Sequence, residues 1–82
     1  MDNDLKIENN KILYEKNDVI FGYIEFIYLD DNTVDIIHTF VDPYHRGKGI
    51  AKKLVEYAFS YFEEKDINVT YSCSYVQKYK EK

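Results

Sequence analysis

The stretch Val41-Asp42-Pro43-Tyr44-His45-Arg46-Gly47-Lys48-Gly49-Ile50-Ala51 decides the fold. Pro43 cannot donate to a sheet ladder and biases Asp42 toward extended geometry, so a strand ends here. Gly47 and Gly49 carry no side chain and permit positive φ, so backbone amides can converge and a bulky group can approach. From Ile50 a helix begins. A strand, a glycine turn and a helix N-terminus in succession make an anion site, because unpaired N–H groups and the positive end of the helix dipole point outward. Arg46 and Lys48 add charge beside it. The stretch reads as a phosphate or pyrophosphate cradle. The plainer alternative is a glycine-bearing turn at a helix start, flanked by two solvated cations.

Upstream the pattern is β. Leu5–Glu8 and Lys11–Glu15 are short alternating runs, and Asn9-Asn10 between them fits a two-residue turn. Asn17-Asp18 marks a second turn. Val19 to Leu29 is β-branched and aromatic on both faces, which predicts a central strand covered on both sides. Gly22 inside it points to a bulge or a close neighbour. Asp30-Asp31-Asn32 turns the chain into a strand from Thr33 to Val41. Regular pairing puts Val34, Ile36, His38 and Phe40 on one face; a bulge near His38–Thr39 would switch the faces after it.

Downstream, Ala51, Leu54, Val55, Ala58, Phe59 and Phe62 recur at three- and four-residue spacing, the apolar stripe of a helix. Glu63 and Glu64 at its end oppose the dipole preference. Lys65-Asp66 closes it. A short strand, Ile67 to Tyr71, and a short helix, Ser74 to Lys80, follow, with Lys78, Lys80 and Lys82 in a solvated end. The order is β-β-β-β-α-β-α. An antiparallel meander leads into a β-α-β unit whose parallel strands need a right-handed crossover.

Eighty-two residues make a single domain over 1–82, which buries about 60–65% of its unfolded surface. A net charge of −4 argues against a nucleic-acid partner. One Cys excludes an internal disulfide and suggests a reducing compartment. Met1-Asp2-Asn3-Asp4 is too polar for a signal peptide, and no apolar run approaches the ~20 residues of a membrane span. A cytoplasmic protein, monomer or homodimer, is the expectation. His38 and His45 are too few for a metal site.

At Arg46-Gly47-Lys48-Gly49-Ile50-Ala51 the chain resembles the acetyl-CoA signature of the GNAT N-acetyltransferase superfamily, Q/R-x-x-G-x-G/A, with Tyr44 in place of the Q/R residue and Gly47 and Gly49 in register. Val41-Asp42-Pro43 before it and Leu54-Val55 after it are similar too. The short length, His38-Thr39-Phe40-Val41 and Cys73-Ser74-Tyr75-Val76 resemble a minimal, YjdJ-like acetyltransferase subgroup. The likeness covers most of residues 20–80. It implies an α+β, GNAT-like acyl-CoA N-acyltransferase fold without the usual N-terminal helices, which in larger members wall the acceptor site. It further implies acetyl transfer from acetyl-CoA to an amine of a small molecule or peptide. The amides of Arg46, Gly47, Lys48, Gly49, Ile50 and Ala51 would hold the coenzyme A pyrophosphate. Val41 would offer its backbone to the pantetheine arm, lying where strands 33–41 and 67–71 splay apart.

Catalytic candidates each have a plainer reading. Cys73 is a small buried hydrophobe or, beside the thioester, an acyl acceptor or proton donor. His38 is a hydrogen-bonded strand residue or a base for the amine. By the resemblance, Tyr75 would protonate the departing thiolate; otherwise Tyr75 and Tyr79 serve packing. Glu25 is a weaker base candidate. A coenzyme A-binding module without turnover, or an interaction domain, stays open beside the enzyme.

Overall fold

The computed structural model describes residues 4–81. The polar residues 1–3 and the last lysine, 82, lie outside the described residues. Five strands and two helices follow in the expected order: β1 Leu5–Glu8, β2 Lys11–Lys16, β3 Val19–Asp30, β4 Thr33–Val41, α1 Ile50–Glu64, β5 Asn68–Tyr71 and α2 Ser74–Glu81. A 3-10 turn, Pro43–His45, bridges β4 and the glycine loop. The sheet runs β1-β2-β3-β4-β5, antiparallel throughout except for the parallel β4–β5 pair. Asn9, Asn17, Asp18 and Asp66 adopt positive φ, the left-handed geometry that short polar residues tolerate, and so make the turns that separate these elements.

The core lies between one face of the sheet and α1. Ile50, Leu54, Val55, Ala58 and Phe62 of α1 are buried against Ile12, Tyr14, Ile24, Phe26, Val34 and Ile36. Each such large apolar side chain contributes about 1.5–3 kcal/mol by leaving water. Cys73 and Val76 of the α2 segment join the same cluster. Ala51 and Phe59, expected in the stripe, are only half-buried. At the end of α1 the Lys65 ammonium lies 5.0 Å from the Tyr61 ring centroid.

The double coverage expected for β3 is not observed. β3 is central in pairing, yet its helix-free face carries Tyr23, Glu25 and Ile27, and Ile27, Tyr28 and Leu29 are exposed. Two helices that share one core leave the other face to its own aromatic and amphipathic residues, and Tyr tolerates that position. Gly22 meets both of its expectations. Phe21 is the extra residue of a bulge, since Tyr14 pairs with Gly22 and Glu15 with Ile20. A Cβ on Gly22 would stand 2.7 Å from the Phe40 carbonyl oxygen.

A second bulge positions the site. Phe26 pairs with Ile36 and Glu25 with His38, leaving Ile37 unpaired. The faces switch there, one residue before the expected place. Val34 and Ile36 point into the core; beyond Ile37, Thr39 and Val41 take the helix side, while His38 and Phe40 turn to the open face with Tyr23. Pairing with β5 stops at the same level. Ile36 is matched to Tyr71, and the N–H groups of Ser72 and Cys73 both donate to the Ile36 carbonyl at 3.1 Å. Thr70 and Ser72 hydroxyls donate to the Asp35 carboxylate oxygens at 2.9 and 2.7 Å, which clamps β5 where it ends. From Ile37 to Val41, β4 continues with no strand among the described residues beside it on that edge.

Candidate active site

Asp42 begins the site by building the turn after β4. Its carboxylate accepts from the Tyr44 N–H at 2.9 Å and its carbonyl from the His45 N–H at 2.8 Å. Pro43 suits the first position of such a turn because its φ is preset and it has no N–H to satisfy. Tyr44, at the position of the missing Q/R residue, is 89% exposed and adds nothing to the site. His45 points inward instead. Its ring stacks on Phe21, centroids 3.7 Å apart and planes within 6°. Lys48 Nζ is 3.5 Å from His45 Nδ1.

Gly47 and Gly49 then turn the chain with φ of +83° and +77°. A Cβ built on either would meet nothing within 4 Å. Gly49 is the N-cap of α1 and no side chain caps the helix. The amides of Ile50, Ala51 and Lys52 open the helix and have no carbonyl one turn back to bind. Open space, uncapped amides and the helix dipole therefore coincide, with Arg46, Lys48 and Lys52 around them.

These amides border a cavity of about 440 Å³. Of the residues expected to bind a cofactor, Val41, Arg46, Gly47, Gly49, Ile50 and Ala51 line it; Lys48 does not. Arg46 Nε donates to the Val41 carbonyl at 3.2 Å, so that strand-end acceptor is engaged within the chain. Tyr75 lines the cavity from α2. Cys73 stands just behind the wall, its Sγ 3.5 Å from Thr39 Oγ1, and Thr39 is itself lining. His38 is not in this cavity: it lies exposed on the opposite face beside Tyr23, across the strand from Glu25. The three catalytic candidates thus do not share one surface. Thr39, His45 and Lys52 line the cavity without having been singled out from the sequence. For Thr39 the missing signal was the Ile37 bulge, which alone turns it inward.

Opposing influences act on the Cys73 thiol. Burial pushes its thiol pKa up. The Thr39 hydroxyl and the N–H groups of Val76, Tyr75 and Thr39 outweigh that, and the thiol titrates below its ordinary value. Its carbonyl accepts from the Gln77 N–H at 3.1 Å, so Cys73 occupies the N-cap of α2, where a thiolate is favoured. Alkylation of Cys73 by iodoacetamide should therefore rise through a pH midpoint below that of an unperturbed thiol. Thr39→Val should move that midpoint upward. A wild-type midpoint at or above the ordinary value would contradict this network. The sign for stability follows: the thiolate form is favoured in the native state, so the contribution is full above the ordinary thiol pKa and fades as pH falls through the native one.

Residues 11–82 match the family model described as GCN5-related N-acetyl-transferase. The chain is 42% identical over 52 residues to Protein NATD1 of Xenopus tropicalis, a match that takes in 63% of this chain and 48% of that protein. The chain thus spans about half the length of the curated relatives it matches. The solution structure of a GCN5-like protein from Staphylococcus aureus superposes with a TM-score of 0.75 at 26% identity, over 99% of this chain and 81% of that one. A GNAT-family acetyltransferase from Staphylococcus aureus Mu50 superposes at 0.62 and 33% identity, over 70% and 37%. The chain belongs to the GCN5-related N-acetyltransferase family, and its fold is that of GNAT proteins.

Proposed function

We propose that this chain transfers an acetyl group from acetyl-CoA to the nitrogen of an amine. One observation carries the reading: a loop of two positive-φ glycines, unfilled and leading into an uncapped helix, faces a cavity at the end of a strand. Membership of the acetyltransferase family supports it.

When bound, acetyl-CoA supplies an activated thioester carbonyl. The chain's own residues do the rest. The amides of residues 46–51 hold the diphosphate, assisted by the charge of Arg46 and Lys48. The Val41 N–H, on the strand edge that β5 leaves open, is placed to polarise a carbonyl lying along that edge. The amine nitrogen forms the new C–N bond as the C–S bond breaks. His38 takes the proton that nitrogen loses, and Tyr75 donates one to the departing sulfur. His38 and Tyr75 lie on opposite sides of β4, so the amine approaches from the open face while the diphosphate sits on the other. Holding the reactants along one strand edge supplies much of the rate. In the covalent variant, the Cys73 thiolate would form a C–S bond to the acetyl carbonyl as the bond to the coenzyme A sulfur breaks and that thiolate leaves; the amine would then take the acetyl group and return the Cys73 thiolate.

A second reading is a coenzyme A-binding module without turnover. It is favoured by the two-residue turns Asn9-Asn10 and Asn17-Asp18, which leave no helix among the described residues to wall an acceptor site beside His38. Release of coenzyme A thiol from acetyl-CoA across a panel of amines decides between them. Release that depends on both protein and amine is expected. Tight coenzyme A binding with no amine-dependent release would establish the module instead. Unchanged turnover in Cys73→Ser would remove the covalent variant.

A further inference from the structure

Phe21, on β3, holds the turn before the glycine loop at two points. Its carbonyl accepts from the Asp42 N–H at 2.8 Å. Its ring stacks on His45 with centroids 3.7 Å apart. The Asp42 carbonyl in turn accepts from the His45 N–H, so both ends of the turn are tied to Phe21, one by backbone and one by ring. His45 is half-buried, whereas Arg46, Gly47, Lys48 and Gly49 after it are exposed. The last half-buried side chain before the two glycines is therefore the His45 ring. The bulge in β3 brings Phe21 to this place. In an unbroken ladder Phe21 would stand on the face opposite Gly22, away from α1. As the extra residue of the bulge it turns to the helix side, its ring 6.0 Å from that of Tyr14 and packed against the core.

We propose that Phe21 is a positioning residue for the cofactor loop: its ring, through His45, holds Gly47–Gly49 in the shape that receives the ligand before the ligand arrives. The proposal rests on the glycine loop being the diphosphate cradle. Gly47 and Gly49 both sit at positive φ, and glycine has more backbone freedom to lose than any other residue. A loop already held at His45 gives up less of that freedom on binding, so affinity rises without any contact between Phe21 and the ligand. The cavity lining agrees with that division, since it includes His45 and not Phe21.

The test is calorimetric titration with coenzyme A of wild type, Phe21→Leu, Phe21→Tyr, His45→Leu, His45→Phe and the double variant Phe21→Leu/His45→Leu, each well below its melting temperature. Phe21→Leu and His45→Leu should each weaken binding about tenfold, the upper worth of one aromatic pair. Both break the same stack, so the double variant should be at most about twofold weaker than either single one. Phe21→Tyr and His45→Phe keep two rings face to face and should bind within about twofold of wild type. In the unliganded protein the His45 ring protons, shifted upfield by the Phe21 ring, should return toward ordinary positions in Phe21→Leu, and the Gly47 and Gly49 amide signals should move with them. Should Phe21→Leu not fold, the two His45 variants carry the same test. Single leucine variants within about twofold of wild type, or losses that multiply to about a hundredfold in the double variant, would overturn the proposal and leave the cradle standing. So would a loss in His45→Phe as large as in His45→Leu, which would make the imidazole itself the binding group. If wild type binds no coenzyme A, the cradle falls first and the positioning role with it.

Discussion

Gly49→Val should weaken coenzyme A binding by about a hundredfold or more and abolish the ligand-induced rise in melting temperature. The estimate follows from losing two charge-assisted hydrogen bonds of about 1.5–3 kcal/mol each. Gly49 sits at φ +77°, and a Cβ there meets none of the described residues within 4 Å. The added branch therefore enters open space at the N-cap of α1, beside the loop where the diphosphate is read to lie. Left-handed backbone at a non-glycine residue adds roughly 1–2 kcal/mol of strain. A domain of this size has about 4–12 kcal/mol of stability, so the variant should still fold. Thermal shift and calorimetry check both parts, because a ligand of the native state raises its melting temperature by mass action. An affinity within about threefold of wild type would mean that the amides do not carry the phosphates.

Phe62→Ala should remove about 3–5 kcal/mol of stability, much of what such a domain has. Phe62 is fully buried in the centre of the core, edge-on to Phe26 at 5.0 Å and to Tyr61 at 5.2 Å. The lost contacts and the cavity left behind both count. At roughly 4–8 °C per kcal/mol, the melting temperature should fall by about 12–40 °C. Urea unfolding gives the free energy directly, and a change below about 1 kcal/mol would contradict a core centred on this ring. Phe62 lies at the far end of α1 from the glycine loop, so the folded fraction of the variant should bind coenzyme A as wild type does.

What could be read without coordinates was whatever depends on local chemistry. The limits of β4 were fixed by Asn32 and Pro43 at either end, and α1 by one sustained apolar period. The glycine loop was legible because positive φ, uncapped amides and a helix start are all local properties. Pairings between distant residues were not legible. His38 reads as a strand residue near the chemistry; only the bulge at Ile37 sends it to the open face and brings Thr39 in. His45 looked like a turn residue because its partner, Phe21, lies on another strand. Double coverage of β3 failed for a related reason. Tyrosine and isoleucine look alike at buried and at half-open sites, and hydropathy alone does not count how many helices a short chain has to spend.

The central claim is that the amides around Gly47–Gly49 face outward and bind a diphosphate. The most direct measurement is titration of the nitrogen-15-labelled protein with coenzyme A, followed amide by amide. Saturable shifts should concentrate on the N–H signals of Gly47, Lys48, Gly49, Ile50, Ala51 and Lys52. Absence of saturation, or shifts confined to the open face around Tyr23 and His38, would contradict it.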